Sequence, residues 1–262
     1  MEQFNRKFKL GLALGSGGAK GMAHLGALKA LEEEGFEFDF VAGTSIGSIV
    51  GALYAKGYSS DDMSALFKEV IDGDPALVLA FTLGVISLTE VIDKFTGGAH
   101  FSDLKKPFRA VAVDADSGKE VVFKDGELSL ALAASSAIPP FKPVVHGGRI
   151  LVDGAFLNYV PSDVVKDLGA DFVLAVNLGK GRDLNDKIKA DLDDIYPNNR
   201  VPYANRSEKC YKFADFVLEP DLSKYTSASF GSFEEMYEIG YQTVKKNVEK
   251  IRKTINAKVN AV

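Results

Sequence analysis

Val41-Ala42-Gly43-Thr44-Ser45-Ile46-Gly47-Ser48-Ile49-Val50 passes from an apolar, strand-like run through a glycine-flanked serine into a small-residue helical pattern. It reads as strand, sharp turn, helix. In a G-x-S-x-G turn the serine occupies the tip in a strained backbone, and its neighbours must be small so that the strand and helix ends can approach. Gly43 and Gly47 meet that need. Such a turn lifts the hydroxyl clear of the sheet and leaves N–H groups at a helix N-terminus, where they stabilise a developing oxyanion. Ser45 is therefore the candidate nucleophile. The competing reading is a chance match, because small residues beside a helix start are common punctuation.

Upstream, Lys7–Leu14 is a short β-like run that empties into Gly15-Ser16-Gly17-Gly18-Ala19-Lys20-Gly21, before a helical pattern carrying Ala23, Ala27, Leu28 and Leu31. A dinucleotide fingerprint fails here, since its third glycine position holds Lys20. A P-loop fails too, since Lys20 lies between Ala19 and Gly21 rather than between glycine and a hydroxyl residue. Two readings stay open: a tight turn that needs glycine, or N–H groups of Gly17 and Gly18 facing an anion with a helix dipole behind them. Phe38–Ala42 then gives a second strand leading to Ser45. Two successive strand-turn-helix units predict a parallel sheet covered by helices, with ligands at the carboxyl ends of its strands. Both glycine-flanked turns lie at those ends.

Further along, helices are expected over Ser60–Val70, Thr89–Phe95, Glu127–Ala137, Pro161–Leu168 and Ser232–Asn256, and strands over Phe108–Val113, Glu120–Phe123, Asp171–Leu178 and Phe213–Leu218. Ser232 and Glu235 have capping-box spacing, and Met236, Val244, Val248, Ile251 and Ile255 form an apolar face that should pack on the core. The apolar segment Ala76–Leu88 reads as core or as a lid, and is shorter than the roughly 20 residues that span a bilayer. Residues 179–212, rich in charge and Asn, read as a variable excursion or mobile loop. The chain is thus expected to form one domain over 1–262, with 232–256 as its C-terminal packing helix.

A net charge of −5 and a pI near 5.4 argue against a nucleic-acid surface, which needs a basic face. Arg6, Lys7 and Lys9 before Leu10–Leu14 imitate a signal peptide, but the apolar stretch is too short and reads as the first strand. The single cysteine, Cys210, allows no internal bridge and suits an intracellular, cytoplasmic protein. Lys245, Lys246, Lys250, Arg252, Lys253 and Lys258 near the chain end read either as a membrane-facing patch or as cations favoured at a helix C-terminus.

A serine nucleophile needs a base, most often histidine, and the chain has His24, His100 and His146. No histidine follows Asp153, so the usual order of serine, acid and histidine does not fit. Asp153-Gly154, between apolar runs, also fits a hairpin turn.

Taken together, Gly15–Gly21 followed by Ala23-His24-Leu25-Gly26, then Gly43–Gly47, then Asp153-Gly154-Ala155 resemble in order and spacing the patatin-like phospholipase family, bacterial members especially. The likeness extends through Ala134–Pro140, Asn158–Pro161 and Asp171–Asn177, with one departure: Ser16 stands where the family's loop commonly has glycine. The resemblance implies a three-layer α/β/α sandwich with a mostly parallel sheet. It also implies a Ser-Asp dyad of Ser45 and Asp153, an oxyanion hole at Gly17 and Gly18, and loop or head-group support from Lys20 and Gly21. No metal or cofactor is implied. An ordinary aspartate, pKa about 3.9, is a weak base toward serine. An apolar setting, suggested by Leu151, Val152 and Phe156, would help it. The activity implied is hydrolysis of carboxylic esters in phospholipids or related acyl lipids, with peripheral contact at the inner membrane surface. The alternatives are a small-substrate esterase, thioesterase or acyltransferase, and a lipid-binding regulator with little turnover.

Overall fold

A computed structural model describes residues 8–73, 87–179, 186–202 and 208–261. The strands are β1 (Leu10–Leu14), β2 (Phe40–Thr44), β3 (Phe108–Asp114), β4 (Lys119–Phe123), β5 (Val144–His146), β6 (Arg149–Asp153), β7 (Phe172–Val176) and β8 (Phe216–Leu218). They form one sheet in the order β5-β6-β3-β2-β1-β7-β8, with β4 also paired to β3. The β1–β2, β2–β3, β1–β7 and β7–β8 pairs are parallel, and the pairs involving β4, β5 and β6 are antiparallel. β1 and β7 are buried along their whole length, as interior parallel strands covered on both faces must be, which is why both read as continuous apolar runs.

Alternation along the strands feeds two layers of helix. Leu10, Leu12, Leu14, Leu174 and Val176 face one layer. It contains α1 (Met22–Glu33), α2 (Ile46–Lys56), α3 (Ser60–Gly73), α4 (Leu88–Thr96), α5 (Leu128–Ser135) and α9 (Phe233–Val259). Ala13, Ala42, Val111, Val173 and Ala175 face the other, where α6 (Ser162–Asp167) and α8 (Glu208–Phe213) bring Val164, Val165 and Cys210. Two strand-turn-helix units predict the helix-covered parallel sheet, and the three-layer arrangement is the one the family resemblance implies.

Several local expectations need correction. The charged stretch after Gly179 contains a helix, α7 (Asp186–Ile195). Its Leu192 joins Val113, Val152, Phe156 and Val201 in a buried cluster, so a few well-spaced apolar residues outweigh the surrounding charge. Asp153-Gly154 is no hairpin: Asp153 ends β6 and Gly154–Phe156 is one turn of 3₁₀ helix. The β5–β6 hairpin turns at Gly147 and Gly148, whose φ of 57° and 75° suit a tight two-residue turn. Ser232 makes no side-chain cap bond to α9; a 3₁₀ turn, Phe230–Ser232, feeds straight into the helix, and Glu235 accepts from the Tyr225 hydroxyl at 3.4 Å. Of the Ala76–Leu88 stretch, residues 76–86 lie outside the described residues. No described helix is long and apolar enough to cross a membrane.

The lysine-rich end of α9 is partly consumed within the fold. Lys245 and Arg252 bond Glu34 at 2.5 and 3.1 Å, and Lys258 bonds Asp215 at 2.5 Å. α9 crosses α1 at glycines: a Cβ on Gly240 would collide with the Ala23 carbonyl, and one on Gly26 with the Tyr237 carbonyl. Gly240→Ala therefore forces the two helices apart, at a cost of about 1–3 kcal/mol. For a chain of this size that lowers Tm by roughly 3–10 °C. Gly231→Ala, where a Cβ meets open space, should leave the thermal melt nearly unchanged; equal melts for the two variants would refute the close crossing.

Candidate active site

Ser45 follows β2 directly, with φ 56° and ψ −128°. It is the one non-glycine residue with positive φ among the described residues. That conformation is uphill for serine and persists only where the surroundings hold it. Its N–H donates to Ser135 Oγ at 2.9 Å, and its carbonyl accepts from the Ser48 hydroxyl at 2.6 Å and the Ser48 N–H at 2.8 Å. The turn is seated on the glycine loop. A Cβ on Gly47 would collide with the Leu14 and Gly15 carbonyl oxygens, so only glycine allows this approach.

Most N–H groups of the glycine loop already have acceptors. Gly15 donates to the Val176 carbonyl at 3.0 Å, Ser16 to Tyr159 at 3.0 Å, Ala19 to Ser227 at 2.8 Å and Lys20 to Gly17 at 3.2 Å. Those of Gly17 and Gly18 have none among the described residues. These are the two N–H groups that the sequence singles out. Gly18, at φ 57°, lies on the wall of the cavity that holds Ser45. Lys20 is buried, 7 % exposed, and a Cβ on Gly21 would collide with the Ile46 side chain, so neither lies on an open surface.

His24 lies beneath this loop, fully buried on α1, with Nε2 2.8 Å from the Gly15 carbonyl oxygen. A carbonyl can only accept, so Nε2 carries the proton. Nδ1 has no hydrogen-bond partner among the described residues. Burial pushes the imidazole pKa down to about 4, against a smaller upward pull from the Gly15 bond. His24 is thus a neutral strut for the loop, occupied by Gly15 rather than by Ser45.

Sheet register brings Asp153 to the serine. β3 pairs with β2 through residues 108–111, with β6 through 112–114 and with β4 through 110–114. Because β4 overlaps both of the others in register, it takes one edge of β3 and leaves β2 and β6 to share the other. There they run head-on, Thr44 opposite Val111 and Asp153 opposite Ala112. A Cβ on Gly154 would strike the Val111 carbonyl and lie 3.0 Å from Thr44 Cγ2, so the residue after Asp153 abuts the residue before Ser45. Asp153 is 0 % exposed; its Oδ1 accepts the Ala155 N–H at 2.8 Å and its N–H donates to the Ala137 carbonyl at 3.1 Å.

Ser45 and Gly18 open on a cavity of about 250 Å³, walled by apolar side chains that include Ile46, Ile49, Phe67, Val91 and Phe95. No histidine lines it. His100 and His146 line a separate groove of about 670 Å³ beside β4 and the β5–β6 hairpin, which shares no residue with the first. The larger groove does not include Ser45. Among the described residues no cluster of His, Cys, Asp or Glu could hold a metal. Ser135 and Asn158, whose carbonyl accepts from Thr44 Oγ1 at 2.8 Å, were not singled out from sequence. The small-residue run before Pro139-Pro140 was the available signal for Ser135.

A family model described as patatin-like phospholipase matches residues 12–166. Patatin-like phospholipase domain-containing protein 6 of Homo sapiens is 30% identical over 274 residues, covering 89% of this chain and 20% of the relative. The chain therefore spans about a fifth of that protein's length. An uncharacterized NTE family protein of Mycobacterium tuberculosis is 34% identical over 195 residues, 70% of this chain and 54% of the relative. Among solved structures, human GIVD cytosolic phospholipase A2 superposes with a TM-score of 0.61 at 10% identity, covering 99% of this chain and 62% of that one. VipD from Legionella pneumophila does so with a TM-score of 0.55 at 15% identity, over 93% and 67%. At such identities the structural likeness concerns the fold alone.

Since folded His24 stays neutral down to about pH 4, only the unfolded chain takes up its proton between about pH 6.5 and 4. The associated stability is complete above pH 6.5 and falls as the pH drops through that window, by about 3 kcal/mol. Urea unfolding of wild type and His24→Gln across pH 4–7.5 should show their stability difference shrinking toward acid. A difference independent of pH would mean that His24 is not held neutral.

Proposed function

The chain belongs to the patatin-like phospholipase family, and on that premise we propose that it is a serine lipid acyl hydrolase acting through a Ser45–Asp153 dyad. The observation that carries this reading is the meeting of β2 and β6 on one edge of β3, which sets Ser45 and Asp153 at adjoining strand ends. Its substrates are carboxylic esters of phospholipids or related acyl lipids, and the whole chain works as one hydrolase unit, making peripheral contact with a lipid surface. The apolar cavity that Ser45 lines suits an acyl chain.

Ser45 Oγ attacks the acyl carbonyl carbon while its proton passes to the Asp153 carboxylate. The oxyanion forms against the N–H groups of Gly17 and Gly18, which have no acceptor among the described residues. Each such donor is worth roughly 3–4 kcal/mol of barrier. Collapse expels the alcohol, which leaves with the proton from Asp153, and the acyl group remains on Ser45. Water then loses a proton to Asp153 and attacks the acyl carbon. The second collapse frees the fatty acid and returns the proton to Ser45. His24 keeps the glycine loop in place and takes no part in proton transfer.

Hydrolysis of p-nitrophenyl esters of graded chain length tests this. Ser45→Ala and Asp153→Asn should each lower kcat by about 10³-fold or more, because members of a coupled pair fail together. His100→Ala and His146→Ala should match wild type. An active Asp153→Asn would return the base to a histidine. A wild type inert on every ester yet binding lipid vesicles would favour the lipid-binding regulator. Ile49→Phe, which fills part of the cavity, should move the preference toward shorter acyl groups; an unchanged preference would place the chain elsewhere.

A further inference from the structure

We infer that Ser135 is a positioning residue for the nucleophile, and that residues 135–137 form a bracket holding both members of the proposed dyad. Ser135 is the last residue of α5 and is completely buried. Its hydroxyl lies 2.9 Å from the Ser45 nitrogen and 2.6 Å from the Val111 carbonyl oxygen. A backbone N–H can only donate and a carbonyl only accept, which fixes the direction of both bonds. The Ser45 N–H donates to Ser135 Oγ, and the single Ser135 proton goes to Val111.

The relay ends at a significant place. Val111 pairs with Thr44, and the next residue, Ala112, pairs with Asp153. Two residues beyond Ser135, the Ala137 carbonyl accepts the Asp153 N–H at 3.1 Å. One short stretch therefore grips the nucleophile through a side chain and the acid through its backbone. The grip also removes the Ser45 N–H from the set available to an oxyanion. Serine at φ 56° would relax toward ordinary backbone geometry if its N–H lost the acceptor. The hydroxyl to be aimed at the carbonyl carbon would move with it. A displacement near 1 Å costs on the order of 10²-fold in rate.

The inference rests on Ser45 being the nucleophile, so the experiment reads both. Wild type, Ser135→Ala and Ser135→Thr are compared for ester hydrolysis, for the rate at which a fluorophosphonate labels the protein, and for Tm. Ser60→Ala serves as control: it removes an equally buried hydroxyl, bonded to Glu32 at the other end of α1. Ser135→Ala should lose about 10- to 100-fold in kcat and in labelling rate, with KM within about twofold, and Ser135→Thr should recover most of both. Ser60→Ala should lower Tm alone. If Ser135→Ala lowers Tm but keeps wild-type kcat and labelling, the bracket is merely structural and the inference falls while the dyad stands. If wild type is neither active nor labelled, the reading of Ser45 falls and takes the inference with it. Should Ser135→Ala not fold, Ser135→Cys, whose thiol is a weak acceptor, takes its place with the same expected loss and the same overturning result.

Discussion

One edge of one strand carries the site. β3 cannot pair with β2 along its whole length, because at Ala112 that edge passes to β6, arriving from the opposite direction. Two chain segments more than a hundred residues apart in sequence are thereby brought tip to tip by backbone hydrogen bonds, with no side-chain contact needed to set the approach. Gly154 permits this, since any side chain there would strike the Val111 carbonyl. Everything else about the proposed chemistry is arranged around that junction: the serine turn on one side, the acid on the other, and β4 closing the remaining edge.

Around the junction the polar groups are sorted by occupancy. The N–H groups of Gly15, Ser16, Ala19 and Lys20 hold the loop, and those of Gly17 and Gly18 have no acceptor among the described residues. His24 donates its one ring N–H to the Gly15 carbonyl, and its buried Nδ1 has no partner among the described residues. A serine esterase ordinarily uses histidine for proton transfer. Here the one histidine beneath the loop is a girder, and the other two face a different groove.

The serine turn and the glycine loop were readable because both place strict local demands on residue type: only glycine tolerates the approach of Gly47 to the Leu14 carbonyl. The helix-covered parallel sheet followed from the same two units, and its three layers from the family resemblance. Asp153 was different. Nothing in Leu151-Val152-Asp153-Gly154 distinguishes a strand end from a hairpin, and the family resemblance alone pointed to it. The reason is physical, since its partner lies across a non-local strand pairing that spacing cannot encode. Ser135 escaped notice for a similar reason, being a small residue in a small-residue helix whose partners are Ser45, just past β2, and Val111 in β3. Helix α7 was missed because its charges obscured the spacing of Ile188 and Leu192.

The two halves of the proposed dyad differ in how they are secured. Ser45 hangs from β2, an inner parallel strand flanked by β1 and β3. Asp153 hangs from β6, whose outer neighbour is β5, a three-residue edge strand with Val145 exposed at 73 %. Local opening is cheapest at such a margin. Asp153 and Ser45 therefore belong to parts of the sheet that open at different cost. Fraying of the hairpin would withdraw the proton acceptor while the serine turn stayed intact, so under mild denaturation catalytic competence would be lost ahead of global structure.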